Sequence, residues 1–216
     1  MKPLSTAAFA GALFAASLAG HAYATPLLSL KVTDGTTTLS GTDAGQGTPG
    51  GVVVTGAVGV FNLTFNVGTG TTVPSIVLSS SEISSSTSGS INVFLTESNL
   101  TGPVSSNWFS NLGTSVGFGA DTFKLQTFLN TNNAVFGTTD LLSTLTETAG
   151  GAQIGSYANA PIPTGQYSIT EELTVTAHGA SNDGATAALS NVPEPSSLAI
   201  LGVALIGLGL VRRRTA

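Results

Sequence analysis

Between Leu28 and Leu189 apolar residues fall at every second position, in runs too short for a helix. A period of two puts those side chains on one face of a strand, so the pattern commits the chain to half-buried β-structure. Leu28, Leu30 and Val32 alternate with Ser29 and Lys31, and Asp34-Gly35 offers a hairpin turn into Thr36–Ser40. The clearest run is Val58–Val67, with Phe61, Leu63, Phe65 and Val67 against Asn62, Thr64 and Asn66. Ile76 and Leu78 follow, then Ile91–Leu95, Phe123–Leu129, Tyr167–Ala177 and a weaker Ala185–Leu189. About eight strands result, joined by Gly-, Asn- and Ser-rich connections such as Gly41–Gly51 and Ser84–Ser90. Leu141–Thr148 fits either a short helix or another strand. One apolar face per strand favours antiparallel pairing, so the expected fold is all-β, an antiparallel β-sandwich or jelly-roll-like body. There is no Cys, so this body relies on packing and strand pairing, with no disulfide, thiolate metal site or Cys nucleophile.

Charge is scarce and unevenly placed. Between Thr25 and Asn191 the only basic residues are Lys31 and Lys124, against ten carboxylates. Two cations cannot neutralise a phosphate backbone, which excludes nucleic acid as a partner. The remaining basic residues sit at the ends: Lys2, and Arg212, Arg213 and Arg214.

The ends read as addresses. Lys2 and the small, apolar stretch Leu4 to Ala19 precede Ala22-Tyr23-Ala24, an A-x-A pattern for signal-peptidase cleavage after Ala24. Residues 1–24 are therefore expected to be a signal peptide for Sec export, and 25–191 one exported domain. In 192–216, Pro193-Glu194-Pro195 precedes Ser196-Ser197 and the apolar run Leu198 to Val211, then the arginines. As a helix that run covers about 21 Å of a hydrocarbon core about 30 Å thick, a marginal transmembrane span that snorkelling arginines extend. The arginines belong on the cytoplasmic side, leaving the body outside the inner membrane. The two prolines hold the preceding chain extended, a shape that suits a protease cleft.

The tripeptide Pro193-Glu194-Pro195, the apolar stretch with Gly202, Gly207 and Gly209, and Arg212–Arg214 stand in the order of a known signal. The tail closely resembles the PEP-CTERM sorting signal of Gram-negative bacteria. That resemblance implies recognition by exosortase, a membrane-embedded cysteine protease, and processing near Pro-Glu-Pro. It also implies an exopolysaccharide-producing host, with the finished protein at the cell surface or in the extracellular matrix.

Candidates for chemistry in the body are few. His178 is its one histidine, and a catalytic triad would need it beside a Ser and one of Asp34, Asp43, Asp121, Asp140 or Asp183. No Ser sits in a G-x-S-x-G elbow, and no set of transition-metal ligands is present. Glu171-Glu172 is the one adjacent acid pair, but on a strand the two point to opposite faces. Glu171 shares the register of Ile169 and Leu173, so either it points inward or the register slips there by a bulge. Asn182-Asp183-Gly184 suggests a plain Asp-Gly turn rather than a calcium loop, whose spacing is missing. Trp108, beside Ser105, Ser106, Asn107 and Asn111, is either a platform for a sugar ring or a core anchor.

The expectation is thus a non-enzymatic exported protein with no cofactor, handled by Sec, signal peptidase and exosortase, and anchored in the inner membrane before processing. Its role is structural or interactive. The alternative is a carbohydrate-binding or adhesive module using Trp108 and Asn107, with exopolysaccharide as the candidate partner; a hydrolase using Glu171 or His178 stands further off. Sparsely charged edge strands also point to self-association.

Overall fold

Among the described residues the alternating runs form twelve strands, and every strand pair is antiparallel. The computed structural model describes residues 25–43, 51–69, 74–102, 105–118, 121–148 and 150–192. Residues 1–24, expected to be a signal peptide, and 193–216 lie outside the described residues, and with them the expected cleavage and membrane-anchor positions and the sorting tripeptide named above. The strands are β1 (Leu27–Thr33), β2 (Thr38–Asp43), β3 (Val52–Val58), β4 (Phe61–Thr69), β5 (Ser75–Ser85) and β6 (Gly89–Leu100). There follow β7 (Asn107–Phe118), β8 (Thr122–Asn130), β9 (Asp140–Thr148), β10 (Ile154–Asn159), β11 (Tyr167–Ala177) and β12 (Ser181–Asn191). Sheet A has the order β2-β1-β6-β11-β8-β9, and sheet B the order β10-β7-β12-β5-β4-β3. The two lie face to face as a sandwich, with β2 beside β3 at one flank and β9 beside β10 at the other.

Each sheet gives one apolar face to a shared core. Leu30, Leu95, Val93, Leu173 and Phe123 of sheet A meet Phe61, Phe65, Ile76, Leu78 and Leu189 of sheet B, all essentially without solvent exposure. The turn at Asp34-Gly35 forms as expected. The Asp34 carboxylate accepts from the Thr36 and Thr37 amides at 2.8 and 2.6 Å, and Gly35 takes a φ of 93° that a side chain would strain.

Several expectations need correction. Val58–Val67 is not one strand: Gly59 and Val60 turn the chain between β3 and β4, and Gly59 adopts φ 57°. Gly41–Gly51 is not wholly loop, because β2 runs to Asp43. Leu141–Thr148 is strand, within β9. Asn182-Asp183-Gly184 is no turn; it lies inside β12, where the pairing to β5 shifts between Asp183 and Thr186. Glu171 does point inward without a slip, since it pairs with Leu95 on one side and Thr127 on the other. The irregularity falls earlier, between Tyr167 and Ile169.

The connection 131–139 between β8 and β9 lies over the outer face of sheet A. Asn99 and Asn133, both left-handed, lock together: the Asn99 amide donates to Asn133 Oδ1 at 2.7 Å, and Asn133 Nδ2 to Asn99 Oδ1 at 2.8 Å. Phe136, also left-handed, donates its amide to Thr96 Oγ1 at 3.1 Å. Its ring and that of Phe94 lie 4.7 and 4.2 Å from the Lys31 ammonium, two cation–π contacts on the outer face.

Candidate functional site

Three places in the body gather polar chemistry, and only one adjoins the tail. The first is inside. In sheet A an inward row crosses Leu30, Leu95, Glu171, Thr127 and Ser143. Thr127 Oγ1 bonds Ser143 Oγ at 2.9 Å and, across the core, Ser110 Oγ of β7 at 2.8 Å. Glu171 has no solvent exposure, and neither of its oxygens has a hydrogen-bond partner. Burial raises its pKa well above the usual carboxylate range and so favours the protonated form. Glu97 lies diagonal to it on β6, opposite Ile169, and burial raises its pKa to about 7. Tyr167, buried beside Glu97, has its phenol pKa raised by burial and then by the Glu97 charge. This pair of carboxyls is sealed between the sheets, and the hydrolase reading finds no path from Glu171 to a glycan.

The second place is the turn between β11 and β12. Asp121, 1% exposed, accepts from Ser181 Oγ at 2.5 Å, and Ser181 meets Ser85 Oγ at 2.8 Å. Here a Ser, an Asp and His178 do come together, but not as a triad. Asp121 takes the His178 backbone N–H at 3.3 Å, while the His178 ring nitrogen meets Thr122 Oγ1 at 3.4 Å. Among the described residues the imidazole meets Thr122 and neither a serine nor an acid, so these residues do not form the hydrogen-bonded relay of a triad. Among the described residues no three His, Asp or Glu side chains converge as metal ligands.

The third place is the end of the sandwich from which the tail departs. Trp108, 1% exposed, is a core anchor: its ring meets Tyr167 of sheet A edge-on, centroids 6.5 Å apart. Of the two readings open for Trp108 the burial supports the core anchor and not the sugar platform, because the side chain is almost wholly withdrawn from the surface. Its neighbour Phe109 points the other way, onto the outer face of sheet B, where its ring lies 4.7 Å from that of Tyr157. Gly155 makes room for this, since a Cβ there would come 2.7 Å from Phe109 Cζ. Asn159 Nδ2 donates to Asn107 Oδ1 at 3.1 Å and Ser106 Oγ at 3.0 Å beside the rings. Spacing gives no signal for Tyr157, which sits among small residues in Ile154–Asn159.

At the same end the last strand is clamped. Asn191, buried, accepts the Ser105 amide on Oδ1 at 3.0 Å and donates from Nδ2 to the Ser105 and Asn107 carbonyls at 2.7 and 3.0 Å. Its own amide donates to the Pro74 carbonyl at 2.9 Å. Val192 donates its amide to the Asn107 carbonyl at 2.9 Å, and the Ser105 hydroxyl donates to the Val192 carbonyl. Asn107 is thus a backbone anchor for the tail as well as a surface amide. The folded body is fastened to the residue before Pro193, and the motif begins inside the clamp.

The chain carries a PEP-CTERM protein-sorting motif, matched over residues 191–214. The PEP-CTERM motif implies an exported protein, anchored in the membrane by its C-terminal segment and then processed by exosortase. The match shares Asn191 and Val192 with the fold, so the clamp joins sorting signal to sandwich with no linker between them. No curated protein and no solved structure matches the chain.

Proposed function

We infer that this is a non-enzymatic surface or matrix protein of an exopolysaccharide-producing Gram-negative bacterium, in which the sorting tail delivers a self-sufficient β-sandwich. Sec export and cleavage after Ala24 release the N-terminus, Leu198 to Val211 holds the protein in the inner membrane, and exosortase acts near Pro193-Glu194-Pro195. The observation that carries this reading is the contiguity of the motif with the Asn191 clamp. Processing just beyond Val192 removes the anchor while every strand keeps its partners. The protein is expressed with and without the cognate exosortase, and its mass and location are measured. Loss of the C-terminal segment and departure from the inner membrane only with exosortase support the reading; full-length, membrane-held protein in both strains overturns it.

A carbohydrate-binding role is the second reading, and the outer face of sheet B favours it. Tyr157 is 73% exposed, leans on Phe109, and is flanked by the Asn107 and Asn159 amides. An aromatic face beside neutral donors and acceptors suits a sugar ring and its hydroxyls. On the same sheet, a depression of about 340 Å³ at the β12 bulge is lined by Gly113, Thr114, Gln153 and Thr186 among other uncharged residues. Retention on the host's polysaccharide by the native protein and its loss in Tyr157→Ala would support this; equal retention counts against Tyr157.

A further inference from the structure

We propose that the clamped end of the sandwich is a lipid-docking surface, on which the body stands upright against the inner membrane until the tail is cut. The proposal rests on the membrane-anchored stage implied by the sorting motif. Strand register defines the end. In sheet A it holds Leu27, Asp43, Leu100, Tyr167, Asn130 and Asp140, and in sheet B Val52, Thr69, Ser75, Asn107, Asn159 and Asn191. The Trp108–Tyr167 contact shows that these two sheet ends coincide.

Two independent features meet there. The first is connectivity. Thr25 is held at this end through its carbonyl by Asn99 Nδ2 at 3.1 Å, and Val192 leaves from it, so residues 1–24 and 193–216 attach to the same end. Only residues 193–197 separate Val192 from the apolar run, about 17 Å even if fully extended. The second feature is exposure. Among the described residues the large exposed hydrophobics are Val53, Val135, Leu141, Tyr157 and Ile162. Val53 and Leu141 are each the second residue of a strand that starts at this end, and Tyr157 is third from the end of β10. Ile162 lies in the connection β10–β11 at this end, and Val135 in the connection β8–β9, which leaves and rejoins the sheet at this end after folding back over the outer face of sheet A. None of the five falls on the opposite turns, Asp34–Thr37, Gly59–Val60, Ser86–Ser88 or His178–Ala180.

Between β9 and β10 the end opens into a groove of about 450 Å³, walled by apolar residues such as Leu129, Leu141 and Ala160 and by the polar Thr139, Asp140 and Asn159. The lipid chemistry is interfacial rather than electrostatic. The end has no Lys or Arg among the described residues, and its surface carboxylates are Asp43 and Asp140, so anionic lipid offers it nothing. Aliphatic side chains with a phenol such as Tyr157 suit the headgroup boundary, where one end of a ring is apolar and the other wet.

The test uses the full chain, which has no Cys of its own, reconstituted in phosphatidylcholine vesicles. Single cysteines carrying an environment-sensitive fluorophore are placed at Val135, Leu141 and Ile162, at Thr87 on the opposite turn, and at Asn62 on the outer face of sheet B near the opposite turns. Thr87 stands about 35 Å away along the strands, beyond the reach of a lipid-borne quencher. Labels at 135, 141 and 162 are expected to shift to the blue and to be quenched several-fold more by spin-labelled lipid than those at 62 and 87. Adding anionic lipid should not strengthen this. Equal quenching at all positions, or strongest quenching at Asn62, overturns the upright docking. A blue shift without lipid quenching assigns the patch to a second copy or another protein and likewise overturns it. Extraction of the chain by alkaline carbonate would show that the anchoring reading has failed; a carbonate-resistant chain with unquenched labels fails the docking alone.

Discussion

The two sheets share one core but divide the charge unequally. The strands of sheet A carry Lys31, Asp43, Glu97, Lys124, Asp140, Glu147, Glu171 and Glu172; those of sheet B carry only Glu82 and Asp183. Sheet A therefore needs local devices to hold its charges. Lys31 rests on Phe94 and Phe136. Glu172, raised by partial burial, is drawn back down by Lys124 and Lys31, and burial favours the protonated form of the inward Glu97 and Glu171. Sheet B holds only the exposed Glu82 and the buried Asp183, and around the Phe109–Tyr157 pair it presents a neutral patch of amides and hydroxyls. Electrostatic work is concentrated in one sheet, and the surface free to meet a neutral partner in the other.

The strongest test asks whether the sheets are one cooperative unit. Trp108 of sheet B packs on Tyr167 of sheet A, so Trp108→Ala is expected to cost about 3–5 kcal/mol in urea unfolding. Tyr157→Ala, one strand away and exposed, should cost under about 1 kcal/mol. Similar costs for both would mean that the Trp108 side of the core is not shared.

Glu171 probes the cost of the charge held by sheet A. Glu171→Leu replaces an unpartnered buried carboxyl by an apolar side chain among Leu95 and Leu173, and should stabilise by about 1–3 kcal/mol at pH 7. A loss of stability would show that the carboxyl has a partner in solution.

Glu97 gives an effect with a definite pH window. Its folded pKa, about 7, lies above the ordinary value of 4.5, so between those values the folded state binds the extra proton. The stabilisation it gives is complete below pH 4.5 and is lost as pH rises toward 7, with a slope of at most about 1.4 kcal/mol per unit. Thermal melts across that window should slope downward with pH, and Glu97→Gln should flatten them. An unchanged slope would place the titration elsewhere, on Glu171 first.

How much of this is legible in the sequence follows the same division between large apolar and small polar inward residues. Where the inward positions hold Leu, Val, Ile or Phe, as in β1, β4, β8 and β11, alternation marks the strands. The strand β7 escapes notice because Ser110 sits inward next to Leu112, satisfied only by Thr127 from the other sheet, and no local pattern signals such a partner. In β10 the inward Ser156 and Ala158 are too small to stand out. Val58 and Val60 keep the period across Gly59 and hide a turn. For the site, the sorting tripeptide is readable as a string. The Asn191 clamp is not, because its partners Ser105 and Asn107 lie far back in the sequence.

The smallest effect on stability carries the largest consequence for assembly. Sheet A ends in β2, which closes on Asp43, and in β9, which holds Asp140 and an inward Glu147; such charges discourage a second chain from adding to the edge. Sheet B ends in β3 and β10, neither of which has a charge or a proline. The sequence of β3, Val-Val-Val-Thr-Gly-Ala-Val, is apolar and rich in β-branched residues, and Val53 stands 64% exposed. Antiparallel pairing of β3 with its copy would satisfy two edges at once and is self-complementary. Concentration-dependent association in sedimentation is therefore expected through sheet B. Val53→Lys should abolish it while changing stability by no more than about 0.5 kcal/mol. Thr144→Lys on β9 is the matching control and should leave it intact. If the β9 variant dissociates the protein and the β3 variant does not, the charged sheet is the adhesive one, and the division of labour between the sheets is reversed.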